Sequence, residues 1–215
     1  MTVLHKLFLA IALATSSHAF AAPDVAILTK EEISAMIGNF PARGTQAEAM
    51  DDEVILDWQN KRTQADCDYA AESEVNITNF FGGVRGPLTQ LEIKSLPFSI
   101  TTQAPIEIGA NILIAKKMYD RPRPYDRNPA LKPCIKKESS SSYPSGHAMY
   151  TQAMGRLLSK RFPQKSELIM KRAAEAALNR LIGGVHHPSD IEAGKKLGDA
   201  IAAKIQGSHF FRLSR

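Results

Sequence analysis

Apolar residues recur along this chain three and four apart, and no stretch shows a convincing alternation of period two. The pattern predicts helices over 29–37, 46–80, 88–96, 105–120, 145–162, 164–182 and 188–205. The first opens on Thr29 followed by two glutamates, a helix-start signal. The second is long, charged and expected to break once. Gly82, Gly83, Gly86 and Pro87 mark the loop after it. Pro122, Pro124, Pro129 and Pro133 make 121–144 irregular, and that segment ends in the serine cluster 139–142. The expectation is an all-α, single-domain bundle of roughly seven helices.

The first residues follow a different logic. Lys6 precedes a short apolar run over 7–14, and Ala19-Phe20-Ala21 is a small-x-small cleavage site. This is the layout of a secretory signal peptide over 1–21, which leaves a mature domain over 22–215. The run is well short of the ~20 residues of a spanning helix. No later segment is apolar enough to span a bilayer; Glu107 and Asn111 interrupt the nearest one. The expected location is periplasmic or secreted. Cleavage would remove His5 and His18 and leave His147, His186, His187 and His209. Cys67 and Cys134 are the only cysteines. An oxidising compartment allows them one pairing, and the alternative is two separate buried thiols.

Charge changes the picture in one place. The whole chain carries +5. Within 116–137, however, Lys116, Lys117, Arg121, Arg123, Arg127, Lys132, Lys136 and Lys137 face only Asp120 and Asp126. A local positive field of this kind suits a small anion such as phosphate, and by itself it also describes a solvated basic loop. No aromatic platform is interleaved with it, so nucleic acid is not the expected partner.

Three segments carry candidate chemistry. In the first, Lys116 and Arg123 are seven apart, with Pro122 ending the helix and a Pro-Arg-Pro stretch fixing Arg123. Lys supplies a point charge and Arg a planar fork matched to two phosphate oxygens. In the second, Pro144-Ser145-Gly146-His147 precedes a helix. A helix N-terminus offers free N–H groups to an anion, and Gly146 permits close approach. Ser145 can donate through hydroxyl and amide. The third runs from Arg180 through His186 and His187 to Asp190, with Gly183 and Gly184 ending one helix and Pro188 opening the next. His186 and Asp190 are four apart, so the carboxylate can hold one imidazole nitrogen and leave the other free. His187 is expected to point elsewhere, in a structural or substrate-contact role.

Together these segments resemble the three-part signature of the type 2 phosphatidic acid phosphatase superfamily. The matching positions are Lys116, Arg123 and Pro124, then Pro144-Ser145-Gly146-His147, then Arg180, His186 and Asp190. Asn179 stands where the family usually has serine. An exported, all-helical member looks most like the soluble bacterial non-specific acid phosphatases. The resemblance implies a phosphomonoester hydrolase working through a phosphohistidine on His186. Asp190 would orient His186, and His147 would serve as acid and then base. Lys116, Arg123, Arg180, Ser145 and Gly146 would hold the phosphate oxygens. It implies small phosphate esters as substrates and an acidic to near-neutral optimum. Inorganic phosphate or vanadate would inhibit. No cofactor is implied. The sequence holds no Cys-x-x-Cys and no Walker or dinucleotide fingerprint, so no metal site is expected. Lipid phosphates or isoprenoid pyrophosphates are alternative substrates. Vanadium haloperoxidases share the superfamily's site on usually longer chains.

Overall fold

The computed structural model describes residues 27–72, 80–208 and 211. The expected signal peptide lies outside the described residues. Helix starts are written into the sequence as threonine caps. Thr29 accepts from the Glu32 amide and Glu32 reaches back to the Thr29 amide, opening α1 (Lys30–Ile37). Thr45 opens α2 (Gln46–Lys61) and Thr63 opens α3 (Gln64–Ala71). The expected long second helix is broken at Arg62-Thr63, its second part ends at Ala71, and the expected continuation over 73–79 lies outside the described residues. Thr89 opens the short α4 (Gln90–Lys94). Each such cap contributes about 1 kcal/mol to its helix.

A single π-type turn over Ser99–Gln103 leads into α5 (Ala104–Met118). The proline-rich stretch that follows is irregular, as expected, except for one turn, α6 (Pro124–Arg127). Then come α7 (Gly146–Arg161), α8 (Ser166–Ile182) and α9 (Pro188–Gly207). Among the described residues every regular element is helical, which makes the fold all-α. No described helix is long and apolar enough to cross a membrane.

The central helix is α7, packed against α5, α8 and α9. It buries Met149, Ala153, Met154, Leu157 and Leu158 completely. Burial of a large apolar side chain of this kind contributes about 1.5–3 kcal/mol. Two glycines bring α9 unusually close to α7. A Cβ on Gly194 would stand 2.5 Å from the Ser145 carbonyl oxygen, and one on Gly198 would stand 2.7 Å from that of Met149. Backbone-to-backbone contact at Gly194 sets the first turn of α7 directly against α9, and the site is built there.

Cys67 of α3 and Cys134 form a disulfide with Cα atoms 5.8 Å apart and 67 positions between them in sequence. It ties the N-terminal helices to the irregular segment. Arg62 adds to this tie through the carbonyls of Ile182 and Lys132. The basic segment is only in part a solvated loop: Lys117, Lys132, Lys136 and Lys137 are exposed. Arg121 and Arg123 are 1% and 2% exposed, and both point inward onto carboxylates.

Candidate active site

Asp190 lies in the first turn of α9 and is fully buried. A lone buried carboxylate is costly unless its lone pairs are filled. Here Arg121 Nη1 meets Oδ1 at 2.7 Å. Oδ2 receives Ser142 Oγ at 2.5 Å, the His187 amide at 2.8 Å, His187 Nδ1 at 3.1 Å and His186 Nδ1 at 3.3 Å. Burial alone would raise its pKa. The hydrogen bonds from His186 and His187 outweigh that and hold the carboxyl well below its usual range.

His186 is therefore fixed at both nitrogens. With Nδ1 donating to Asp190, Nε2 is left as the acceptor, 3.1 Å from Arg123 Nη1. Burial, seconded by the Arg123 and Lys116 charges, lowers its pKa to about 3. The ring is neutral across ordinary pH, with a lone pair on Nε2. His187 does not point elsewhere, as the sequence reading expected. It shares Asp190 Oδ2 with His186 and turns its Nε2 toward Arg127 Nη2 at 3.2 Å. Arg127 is anchored by Glu48 and Asp52 of α2.

A second centre of charge lies on the Nε2 side of His186. Arg123 spends every donor: Nε on the Ser140 carbonyl, Nη1 on the Val185 carbonyl and His186, and Nη2 on Ser140 Oγ and Glu138. Arg180, at the end of α8, reaches Glu138 Oε1 at 2.7 Å. Its Nε is buried with no hydrogen-bond partner among the described residues. Lys116 Nζ donates to the Ser141 carbonyl at 2.6 Å. Burial, then the Arg123 charge, brings the Lys116 pKa down to about 8. His147 is half-buried in the first turn of α7. Burial and the Arg180, Lys116 and Arg123 charges lower its pKa to about 4, against an opposing pull from Glu138.

Gly146 fits a close approach. A Cβ there would lie 3.1 Å from Ile112 Cγ2 and 3.4 Å from Lys116 Cε. Ser145 is bonded differently from the expectation. Its amide donates to the Asp190 carbonyl at 2.9 Å, so that donor is spent in joining α7 to α9. Its Oγ accepts the Ala148 amide at 3.4 Å, which leaves the hydroxyl proton free to be directed.

All eight expected site residues thus come from four places in the chain to one region. Glu138, Arg121 and Asp51 were missed by sequence reasoning. Glu138 carried a signal, being the only acidic residue between Asp126 and Pro144. Asp51 joins Arg121 Nη2 at 2.7 Å and bonds the Ser189 amide and hydroxyl from 138 positions away, and nothing in the local pattern announces that. Among the described residues no group of three or more His, Cys, Asp or Glu is arranged to hold a metal.

The family model of the PAP2 superfamily matches residues 96–211. The non-specific acid phosphatase of Salmonella typhi is 32% identical over 106 residues, 46% of this chain and 42% of that protein. That of Providencia stuartii is 27% identical over 162 residues, 72% of this chain and 63% of that protein. A decaprenylphosphoryl-5-phosphoribose phosphatase of Mycobacterium tuberculosis is 31% identical over 93 residues, 43% of this chain and 50% of that protein. The alignment thus takes in less than half the length of the Salmonella relative. Among solved structures, the first transmembrane PAP2 type phosphatidylglycerolphosphate phosphatase from Bacillus subtilis superposes with a TM-score of 0.51 at 18% identity. It covers 85% of this chain and 92% of that one, a likeness of fold.

Proposed function

The chain belongs to the PAP2 superfamily, and from that premise we propose that it hydrolyses phosphomonoesters through a phosphohistidine formed on His186. The observation that carries this reading is the orientation of one ring. His186 donates its Nδ1–H to Asp190 in a hydrogen bond and presents Nε2 to Arg123, with the Lys116 charge nearby and Arg180 joined to Arg123 through Glu138. The acid phosphatase relatives support the same activity by their names.

Nε2 attacks phosphorus in line, and the ester P–O bond breaks on the far side. Negative charge on the non-bridging oxygens is met by Lys116, Arg123 and Arg180, with the Ser145 hydroxyl and the Gly146 amide completing the cradle. Fixed cations supply the positioning and charge neutralisation that phosphoryl transfer needs, with no role for a metal. His147 gives its proton to the leaving oxygen. It then takes one from the water that displaces phosphate from Nε2, which returns His186 to its starting state. Asp190 stabilises the ring while it is cationic.

A dianion bound beside His147 favours its protonated form, so the imidazolium is restored as substrate enters. This gives an acidic to near-neutral optimum. A periplasmic or secreted location accords with the leader-like first residues and with the disulfide.

A second reading changes only the substrate. Phe98, Ile106 and Leu113 are 63%, 66% and 64% exposed, and Ile106 and Leu113 share one face of α5. With the name of the Mycobacterium tuberculosis relative, this favours a phosphate on a lipid at a membrane surface.

The test is acid-quench trapping of labelled phosphate on the protein with peptide mapping. Label is expected on His186; label on His147 or Ser145 overturns the mechanism. A panel of aryl phosphate, nucleotides, sugar phosphates and phosphatidate vesicles, run with and without EDTA, separates the substrate readings. Loss of activity on chelation, restored by a divalent metal, overturns the metal-free mechanism.

A further inference from the structure

Three residues of one short segment, Glu138, Ser140 and Ser141, bond to all three cations of the proposed cradle. Glu138 spans two guanidinium groups from different parts of the chain: Oε2 lies 2.9 Å from Arg123 Nη2 and Oε1 lies 2.7 Å from Arg180 Nη2. Ser140 takes Arg123 through its carbonyl and hydroxyl, and the Ser141 carbonyl takes Lys116 Nζ. Two oxygens of one planar anion, each on a different Arg, are the arrangement a phosphoryl group would also use. The two proposed catalytic histidines lie close enough for their charge to act on the same carboxylate.

The Glu138 side chain is 29% exposed, against 2% and 7% for its two arginine partners. Its backbone is held on both sides by Tyr125, whose hydroxyl accepts from the Glu138 amide at 3.0 Å and donates to its carbonyl at 2.8 Å. The carboxylate can therefore rotate outward to water about its own side-chain bonds while the segment stays in place. Arg123 and Arg180 have no such freedom.

We propose that Glu138 is a specificity-determining residue, a resident carboxylate that competes for Arg123 and Arg180 and that a tetrahedral dianion displaces where a monoanion does not. The proposal rests on the reading of this site as a phosphate cradle. A monoanion exchanges one negative charge for another and gains little. Above its second pKa of about 6 a phosphomonoester brings two, and meets the unfilled Arg180 Nε as well. Competition of this kind reduces apparent affinity by the fraction of molecules in which the cradle is open. Diesters would be turned away and product phosphate would be held loosely.

Calorimetric titration with inorganic phosphate and with dimethyl phosphate, on wild type, Glu138→Gln and Glu138→Asp, tests this. Glu138→Gln is expected to tighten phosphate about tenfold or more and to make dimethyl phosphate binding measurable. Glu138→Asp keeps the charge but is too short to span both arginines. It is expected to tighten phosphate as well, whereas a purely long-range charge effect would leave it like wild type. Unchanged phosphate affinity in Glu138→Gln, or wild-type behaviour of Glu138→Asp, overturns the proposal alone. Absence of phosphate binding in all three overturns the cradle reading with it. Either variant that folds can overturn the proposal, and Glu138→Asp, which keeps the charge, is the one that separates displacement from a long-range charge effect.

Discussion

Arg121 and Asp190 form a salt bridge at 2.7 Å in which the side chains are 1% and 0% exposed. The guanidinium takes the carboxylate oxygen that the two histidines leave alone. Its other arm goes to Asp51 of α2 at 2.7 Å, and Nη1 also meets Ser189 Oγ at 2.6 Å. The orienting carboxylate of His186 is thus itself oriented, from a helix more than a hundred residues upstream. A charge removed from such a network leaves its partner buried and uncompensated.

Arg121→Gln is expected to move the acid limb of the kcat/KM profile to higher pH. With Arg121 gone, the Asp190 charge acts on His186 undiminished and favours its protonated form, which cannot attack phosphorus. The His186 pKa rises from about 3 and the neutral fraction falls at low pH. Stability should also drop by about 3–5 kcal/mol, read by urea unfolding. A variant that is destabilised but keeps the wild-type acid limb would make Arg121 structural only.

The same pKa shifts fix how stability responds to acid. His147 and His186 stand near 4 and 3 in the folded chain and near 6.5 when unfolded. Below pH 6.5 the unfolded chain binds protons that the folded chain refuses. Stability is full above 6.5 and is lost as pH falls toward those folded values, at up to about 1.4 kcal/mol per pH unit for each histidine. Glu138, lowered to about 2, adds a loss in the same direction below about 4.5. Urea unfolding at pH 7.0, 6.0 and 5.0 checks this. His147→Gln should roughly halve the slope, and a slope equal to wild type would refute the assignment.

Much of this was legible in the sequence because it is local. Thr29, Pro188 and the glycines after Ile182 announce helix ends within a few residues, and each of the three motif segments is short enough for its spacing to be read directly, even where it runs from one helix into the next. The break at Arg62-Thr63 was legible only as an uncertainty of place. What stayed hidden depends on packing between distant segments. The eight cations of the middle segment read as one basic field because composition cannot show that Arg121, Arg123 and Arg127 turn inward onto Asp51, Glu138, Glu48 and Asp52. His187 was placed away from Asp190 for a similar reason. Adjacent residues usually diverge, but the first turn of α9 lets one carboxylate cap both rings.

Sulfate is expected to raise the His147 pKa. Burial and three nearby cations hold it at about 4, and a dianion seated among those cations reverses their effect on the imidazole. Sulfate does not itself titrate near neutrality, so any shift belongs to the protein. Following the His147 ring protons by NMR from pH 4 to 8, with and without sulfate, measures it directly. The midpoint should climb toward the ordinary imidazole range or beyond. A midpoint that stays put with saturating sulfate would remove His147 from the proposed acid role.

The two histidines should separate by role when mutated. His186→Ala should abolish turnover of every substrate, because no nitrogen is left to carry the phosphoryl group. His147→Ala should depend on the leaving group. An alkyl alcohol needs its proton as the P–O bond breaks, so loss of the acid falls on the first step, and a drop of roughly 10²–10⁴ is in line with general-acid contributions. Nitrophenolate leaves without help, so the first step should largely survive. The second step still lacks the base that activates water, and phosphohistidine should accumulate as a burst followed by slow turnover. Asp190→Asn keeps shape but inverts the donor at His186 Nδ1, leaving the wrong tautomer for attack, as when the orienting carboxylate of a triad is lost. It should be impaired equally for alkyl and aryl esters, since it acts on the nucleophile and not on the leaving group. Burst kinetics with nitrophenyl phosphate beside steady-state rates with an alkyl phosphate give the comparison. Equal losses for both leaving groups in His147→Ala, with no burst, would place His147 in binding instead of proton transfer.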